Sequence, residues 1–141
     1  MSDPLSMLRG MDVIEALDRQ EISARRAMAR RLALVGELDA GKRWREDGAT
    51  CTSAWLCARY GASKGSAIEH VRVARALRDL PATREAFAEG LLSWDQLRPL
   101  VRFVGEDEDE VWARRAQGMS PAELWREETR RKEVPEAQAE E

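Results

Sequence analysis

Basic and hydroxyl side chains cluster in the stretch SKGSAIEHVRVARAL, near the middle of the chain. Ammonium and guanidinium groups bind DNA phosphates and base edges, and serine hydroxyls bind phosphate oxygens. These residue types on one helix therefore favour binding of double-stranded DNA over catalysis. The residues predicted to approach the DNA from this stretch are Lys64, Ser66, Arg72 and Arg75.

A hairpin resembling a helix-turn-helix is predicted to position these side chains. One helix runs from about Thr52 to Tyr60, a turn begins at Gly61, and Ser63 caps a second helix over residues 64–77. An ordinary packed pair of helices joined by three residues shows the same pattern, so this alternative stays open. On the second helix the predicted inward residues are Ala67, Val71, Ala74 and Leu77, and the outward ones are Gly65, Glu69 and Arg72.

The whole chain shows helical periodicity, and no segment alternates in the manner of a β-strand. A long first helix is predicted from about Asp12 to Asp39, with Gly41 as its stop, and serine capping boxes begin two later helices. A chain of 141 residues can form one core. The predicted fold class is all-α, a compact multi-helix domain over residues 1–132 with a disordered acidic tail over residues 133–141.

The long first helix carries two features with opposite implications. Its apolar stripe, which could pair two chains in a homodimer, comprises Ile14, Leu17, Met28, Val35 and Leu38. Its arginines recur three and four residues apart, so we expect them together on the opposite face, where they would be solvated or would contact DNA phosphates. These arginines are Arg25, Arg26, Arg30 and Arg31.

Charge is segregated along the chain although the net charge is only −3. Residues 21–78 contain twelve basic and six acidic side chains, whereas residues 105–141 contain six basic and twelve acidic ones. The net charge excludes a protein that coats nucleic acid by charge alone. An anionic partner is expected to meet the first half of the chain.

Catalytic and metal-binding constellations are missing from the sequence. Cys51 and Cys57 stand beside a single histidine, His70, which does not make a zinc ligand set. The acidic run from Glu106 to Glu110 is interpreted as structural, because it begins a helix whose dipole favours negative charge there. No cofactor and no enzymatic activity are predicted. We expect His70 to be partly buried with its hydrogen bonds satisfied, and the tryptophans to fill the core.

No segment has the length and apolar character of a membrane span, and the N-terminus lacks the pattern of a signal peptide. We therefore expect a cytoplasmic protein with reduced thiols and no membrane contact. Two tryptophans, Trp55 and Trp94, are predicted to be largely buried.

The chain resembles the actinobacterial domain-of-unknown-function family 222 over about residues 32–126. The segments that carry the resemblance are the series Trp44, Gly48, Trp55 and Leu56, then VRVARALRDLP and FAEGLLSWDQL, with MSPAEL as a weaker continuation. The resemblance implies an all-helical module, which in longer relatives precedes a metal-dependent HNH nuclease domain. An HNH site needs several histidines and an asparagine, and this sequence has one histidine and no asparagine.

Two functions follow as hypotheses. In the first, the chain is a non-catalytic DNA-binding or targeting module related to the N-terminal region of HNH endonuclease-like proteins. In the second, it is a helical protein interaction or dimerisation module that does not bind nucleic acid.

Overall fold

The computed structural model describes the backbone of residues 12–140 and the side chains of residues 12–133. Seven α-helices account for most of this part of the chain, and it contains no strand. In chain order they are α1 (Val13–Ala40), α2 (Thr52–Tyr60), α3 (Lys64–Leu77), α4 (Pro81–Ala88), α5 (Trp94–Phe103), α6 (Asp109–Arg115) and α7 (Pro121–Glu140). Short 3-10 turns lie at Arg43–Asp47, Glu106–Glu108 and Ala116–Gly118. The all-α prediction is confirmed.

Local capping determines where several helices begin. The Asp12 carboxylate accepts a hydrogen bond from the Ile14 amide at the start of α1. Ser93 and Gln96 form a reciprocal capping box at α5, and Ser120 with Glu123 forms another at α7. These hydrogen bonds satisfy backbone amides that have no partner within the helix. Because the capping side chains are recognisable in the sequence, the predicted starts of these three helices agree with the observed ones to within one residue.

Two clusters of buried side chains form the core, and α3 contributes to both. The smaller cluster joins α1, α2 and α3 through Val35, Leu56, Ala67, Val71 and Ala74. The larger one includes Val73 and Leu77 of α3 together with side chains of α1 and α4 to α7. Because α3 lies between the clusters, one arc of its surface is buried and the opposite arc faces solvent.

The last helix extends close to the C-terminal end of the chain. Helix α7 continues to Glu140, through the segment for which the sequence predicted a disordered tail. Glutamate and alanine, which dominate EVPEAQAEE, are good helix formers. The division into residues 1–132 and 133–141 stays a prediction. Residues 1–11, residue 141 and the side chains of residues 134–140 lie outside the described part.

Candidate nucleic-acid interface

The turn between α2 and α3 has the predicted form. Gly61 adopts a φ of 69°, a left-handed conformation that glycine adopts without a steric cost, and its amide donates to the Cys57 carbonyl at 3.0 Å. The Ser63 hydroxyl then accepts from the Ser66 amide at 3.2 Å. Helix α3 therefore begins at Lys64, and the first three residues of the helix are exposed.

The outward arc of α3 carries two cations that form no ion pair among residues 12–133. These are Lys64 and Arg72, and both are exposed. The four residues predicted to face inward, Ala67, Val71, Ala74 and Leu77, are all buried. Ser66 is also exposed in the first turn of α3, but it lies about 200° around the helix from Lys64. Ile68, exposed to 40%, lies between Lys64 and Arg72 on the outward arc.

Arg75 is held by an ion pair that the sequence did not indicate. Its Nε and one terminal nitrogen each donate to the Asp39 carboxylate at 2.8 Å. Arg78 donates to the same carboxylate at 3.1 Å, and Thr52 donates its hydroxyl at 2.6 Å. Hydrogen bonds from Arg75 above all, then from Thr52 and Arg78, hold the pKa of the Asp39 carboxyl well below its usual range. Asp39 is therefore ionised and anchors both guanidiniums to α1.

A second acid, Glu69, is shared between two arginines on the other side of α3. Glu69 was predicted to face solvent, but its side chain is mostly buried and accepts from Arg98 at 3.4 Å and Arg102 at 3.1 Å. Both arginines belong to α5, and their guanidiniums lie 5.9 and 5.4 Å from the Trp125 ring. The sequence analysis missed Arg98 and Arg102, whose four-residue spacing on one helix was the available signal.

These contacts define a positively charged surface around α3, here called the α3 basic face. Each shared carboxylate neutralises only one of its two arginines, so each trio keeps one positive charge. Asp79, directly after α3, is a further exposed acid. Six basic groups belong to this surface. The α3 basic face comprises Lys64, Arg72, Arg75, Arg78, Arg98 and Arg102.

The arginines of α1 do not form the single face that was predicted. Arg25 is partly buried and donates to the Gly90 carbonyl at 3.1 Å and to Glu21 at 2.8 Å. Arg31 lies toward the other edge of the helix, 5.6 Å from the centre of the Tyr60 ring. Six residues separate these two arginines, which rotates them by about 120° around a helix of 3.6 residues per turn. Only Arg26 and Arg30 remain exposed.

The predicted burial of the aromatic residues is corrected in part. Trp55 and Trp94 are only partly buried, although both pack against core clusters, and the Trp55 ring donates to Asp47 at 2.8 Å. His70 is partly buried as predicted, with its ring 5.1 Å from Trp94. Its Nδ1, however, is buried without a hydrogen-bond partner. Burial lowers the pKa of His70, and the charge of Arg31 lowers it further.

The acidic run contributes a buried cap to a different helix. Asp109 is 4% exposed and accepts from the Ala82 amide at 2.7 Å, from the Thr83 amide at 2.9 Å and from the Thr83 hydroxyl at 2.6 Å. These donors form the start of α4, where Leu80 supplies no side-chain cap. Asp109 therefore has a structural role that its position in the sequence did not reveal.

The described residues contain no group of side chains that could hold a metal ion. No three His, Cys, Asp or Glu side chains of that part lie together in such an arrangement. Cys51 is exposed, Cys57 is partly buried, and both thiols are free. Of the helices that the structure describes, none is both long and apolar enough to cross a membrane.

Comparison with known proteins gives one match. The family described as "Domain of unknown function (DUF222)" matches residues 14–137. No curated protein and no solved structure matches the chain. The match covers all seven helices except the ends of the first and the last. The chain therefore belongs to the domain-of-unknown-function family 222.

Proposed function

We propose that the chain is a non-catalytic module that binds double-stranded DNA through the α3 basic face. The observation that carries the proposal is the pairing of Arg75 with Arg78 and of Arg98 with Arg102, each pair on one carboxylate, on either side of an exposed α3 surface. A duplex presents phosphates on both sides of a groove, and two positive flanks around one helix match that arrangement.

The shared carboxylates support this proposal in a second way. A free arginine loses side-chain entropy when it is fixed on a phosphate, whereas these four are already oriented by their acids. A guanidinium has five N–H donors, and Asp39 and Glu69 occupy only some of them. The remaining donors are available to phosphate oxygens, so the acids position the arginines without saturating them.

Lys64 and Arg72 have a different part in the proposal. Lys64 stands at the amide-rich start of α3, which favours a phosphate. Arg72 lies one helical turn from Ile68 on the exposed arc, where it can reach a base edge. Ser66 adds an exposed hydroxyl to the first turn of α3. The proposal assigns the chain no chemical step, and it places the module in the cytoplasm, with DNA.

The test is binding to a labelled pool of random duplexes over a series of salt concentrations. We expect wild type to bind at low salt and to weaken steeply as salt rises, because phosphate binding releases counterions. Lys64→Ala with Arg72→Ala should weaken binding by about 1 to 3 kcal/mol for each base edge that is no longer bound, or lower the salt slope by about one unit for each phosphate that is no longer bound.

Arg114→Ala provides the matched control. Arg114 is an exposed arginine that forms no ion pair among the described side chains, like Arg72, but it lies on α6, outside the α3 basic face. Its removal should leave binding unchanged, whereas Arg72→Ala should weaken it. Equal effects of the two substitutions, or no binding by wild type at low salt, would contradict the proposal.

A second candidate function is a helical protein interaction module. The exposed apolar side chains of α1 favour it, since Val13, Ile14 and Leu17 are each at least 65% exposed. As a sole function, this candidate excludes nucleic-acid binding. Protein interaction through α1 can nevertheless occur together with DNA binding through the α3 basic face, because the two surfaces belong to different helices.

A further inference from the structure

The first nine residues of α1, residues 13–21, precede the point where Ile22 lies against Gly90. Every residue from 13 to 24 except Ala16 is exposed, and the first long-range hydrogen bond of the helix is the one from Arg25 to Gly90. Val13 and Leu17 are 69% and 65% exposed. Large apolar side chains at such exposure, repeated on one helix, indicate a surface that another element covers.

A continuous stripe with the spacing of a coiled coil runs along the solvent side of α1. Its residues alternate in steps of four and three, which keeps them in one line along a supercoiled helix. All are exposed except Arg31 and Leu38, which are partly buried. The stripe, here called the α1 seam, comprises Val13, Leu17, Gln20, Ala24, Ala27, Arg31, Leu34 and Leu38.

The C-terminal half of the α1 seam borders a groove. Ala27, Arg31, Leu34 and Leu38 form one wall, and Trp55, Leu56 and Tyr60 of α2 form the other, around a volume of about 410 Å³. Leu34 is 60% exposed and Tyr60 is 57% exposed at the edges of this groove. One half of the seam therefore projects apolar side chains, and the other half offers an apolar groove.

The α1 seam is symmetric about its centre. Each residue i has a counterpart at position 51−i, so an antiparallel second copy of α1 brings matching residues to the same level. Leucine and valine then meet leucine at both ends, alanine meets alanine in the middle, and glutamine meets arginine between them. The four matched levels are Val13 with Leu38, Leu17 with Leu34, Gln20 with Arg31, and Ala24 with Ala27.

We propose that the chain forms an antiparallel homodimer through the α1 seam, in which Val13 and Leu17 of each copy enter the groove of the other. The two alanines at the centre permit close approach of the helix backbones. The Gln20 carboxamide oxygen can accept from the Arg31 guanidinium of the second copy, so a hydrogen bond can cross the interface at the polar level. The symmetry places both grooves and both projecting halves in one interface.

Charge selects the antiparallel direction. Residues 12–21 contain four acidic side chains and one arginine, whereas residues 25–31 contain four arginines and no acid. Antiparallel copies place the acidic half of one helix beside the basic half of the other, and parallel copies would place like charges together. The helix dipoles favour the same direction.

The first test is the mass of the DNA-free protein by analytical ultracentrifugation over a concentration series. Wild type should reach the dimer mass. Leu17→Glu and Leu34→Glu should each raise the dimer dissociation constant by about 100-fold or more, because each substitution buries a charge at two symmetric positions. Circular dichroism should show that both variants keep the helical content of wild type, since both positions are exposed in the monomer.

Ile14→Glu is the matched control for those variants. Ile14 is as exposed as Leu17, at 66%, and lies on the same projecting half. It belongs to the stripe predicted from the sequence, but that stripe also contains Val35, which is buried in the core, and the α1 seam leaves Ile14 about 100° around the helix from Val13. It should leave the dimer intact. A monomeric wild type, or equal weakening by Ile14→Glu and Leu17→Glu, would overturn the proposal.

Disulfide cross-linking tests the direction and register, in a background with Cys51→Ser and Cys57→Ser. Chains with Leu17→Cys should cross-link to chains with Leu34→Cys, and neither should cross-link to itself. In the antiparallel register, position 17 of one copy lies opposite position 34 of the other. The two copies of position 17 are therefore offset by 17 residues along the helix axis, which is about 25 Å at 1.5 Å per residue. Efficient self-cross-linking of Leu17→Cys would indicate a parallel or shifted pair and would refute the register.

Discussion

Asp39→Asn is predicted to weaken the fold and to strengthen DNA binding at once. The substitution keeps the shape of the side chain and one oxygen that can accept the Thr52 hydroxyl bond, but it removes the negative charge shared by Arg75 and Arg78. Few substitutions should move stability and affinity in opposite directions, so the pair of measurements tests both the ion-pair geometry and the proposed role of the α3 basic face.

The expected loss of stability follows from the exposure of each partner. Hydrogen bonds to a charged group contribute about 1.5 to 3 kcal/mol, whereas exposed ion pairs contribute about 0 to 1 kcal/mol. The Asp39 carboxylate is 8% exposed, but Arg75 and Arg78 are 59% and 43% exposed, which places both pairs nearer the lower range. We therefore expect the free energy of unfolding to fall by about 1 to 2 kcal/mol, measured by urea denaturation.

Duplex affinity should change in the opposite direction, because the positive charge gained by the surface should outweigh the loss of the orientation that the Asp39 carboxylate gives to Arg75 and Arg78. With the carboxylate neutralised, both guanidiniums can give their charge to phosphates, and the salt slope should steepen by about one unit for each additional phosphate that is bound. Fluorescence anisotropy of a labelled duplex over a salt series measures this. Asp79→Asn is the control, because Asp79 is an exposed acid directly after α3 without an ion pair among residues 12–133. It should raise affinity with little change in stability.

Two results would refute the reasoning. If Asp39→Asn unfolds at the same urea concentration as wild type, the ion pairs do not stabilise the fold. If Asp39→Asn binds duplex DNA more weakly while Asp79→Asn binds it more tightly, then the amount of free positive charge does not determine the affinity of the Arg75 and Arg78 pair. In that case the orientation of these two arginines determines it.

Three further predictions concern stability. Asp109→Ala leaves three donors at the start of α4 without an acceptor, and two of these donors belong to Thr83, which is fully buried. The substitution should lower the free energy of unfolding by about 3 to 5 kcal/mol in urea denaturation. A loss below about 1 kcal/mol would contradict the capping role. Acid should destabilise the protein because hydrogen bonds from arginine lower the pKa of two carboxyl groups. Arg75 lowers the pKa of Asp39 from its ordinary 3.8, and Arg130 and Arg131, which donate to Glu127 of α7 at 3.1 and 3.0 Å, lower the pKa of Glu127 from 4.5 to about 2. The two carboxyl groups therefore bind protons more weakly in the folded state than in the unfolded state. Their contribution to the free energy of unfolding is complete above about pH 4.5 and is lost as the pH falls through the lowered pKa values. A urea midpoint that stays constant across this range would contradict the prediction. Trp112 is 4% exposed, so Trp112→Ala should lower the free energy of unfolding by about 3 to 5 kcal/mol. Trp55→Ala should lower it less, because the Trp55 ring is only partly buried. The reverse order of the two denaturation midpoints would contradict the burial described above.

Features set by neighbours in sequence could be predicted. The bounds of α3, the cap at Ser63 and the inward arc of α3 follow from residues within one or two turns of each other, and the structure has them as expected. The capping box of Ser93 with Gln96 belongs to the same class. In each case the interacting atoms are separated by a few residues, so the pattern alone determines the partner.

Contacts between distant residues could not be predicted. Nothing local distinguishes Arg75, which is held by Asp39 from 36 positions away, from Arg72, which has no such partner among the described side chains. The choice depends on how α1 packs against α3, and hydrophobic periodicity leaves the rotation and offset of that packing open. The same reason explains why Asp109 was interpreted through its own helix when its carboxylate caps α4.

The position of α3 between the two core clusters has a consequence for motion. Val71 and Ala74 belong to one cluster and Val73 and Leu77 to the other, so neither cluster can open locally without disturbing this helix. Backbone amides in the middle of α3 should therefore exchange with deuterium only through global unfolding, while those of residues 14–21 should exchange through fraying of α1. A ligand that binds α3 would therefore cause little further loss of backbone conformational entropy. The rate of such binding would be limited by the reorganisation of side chains and water and not by rearrangement of the fold.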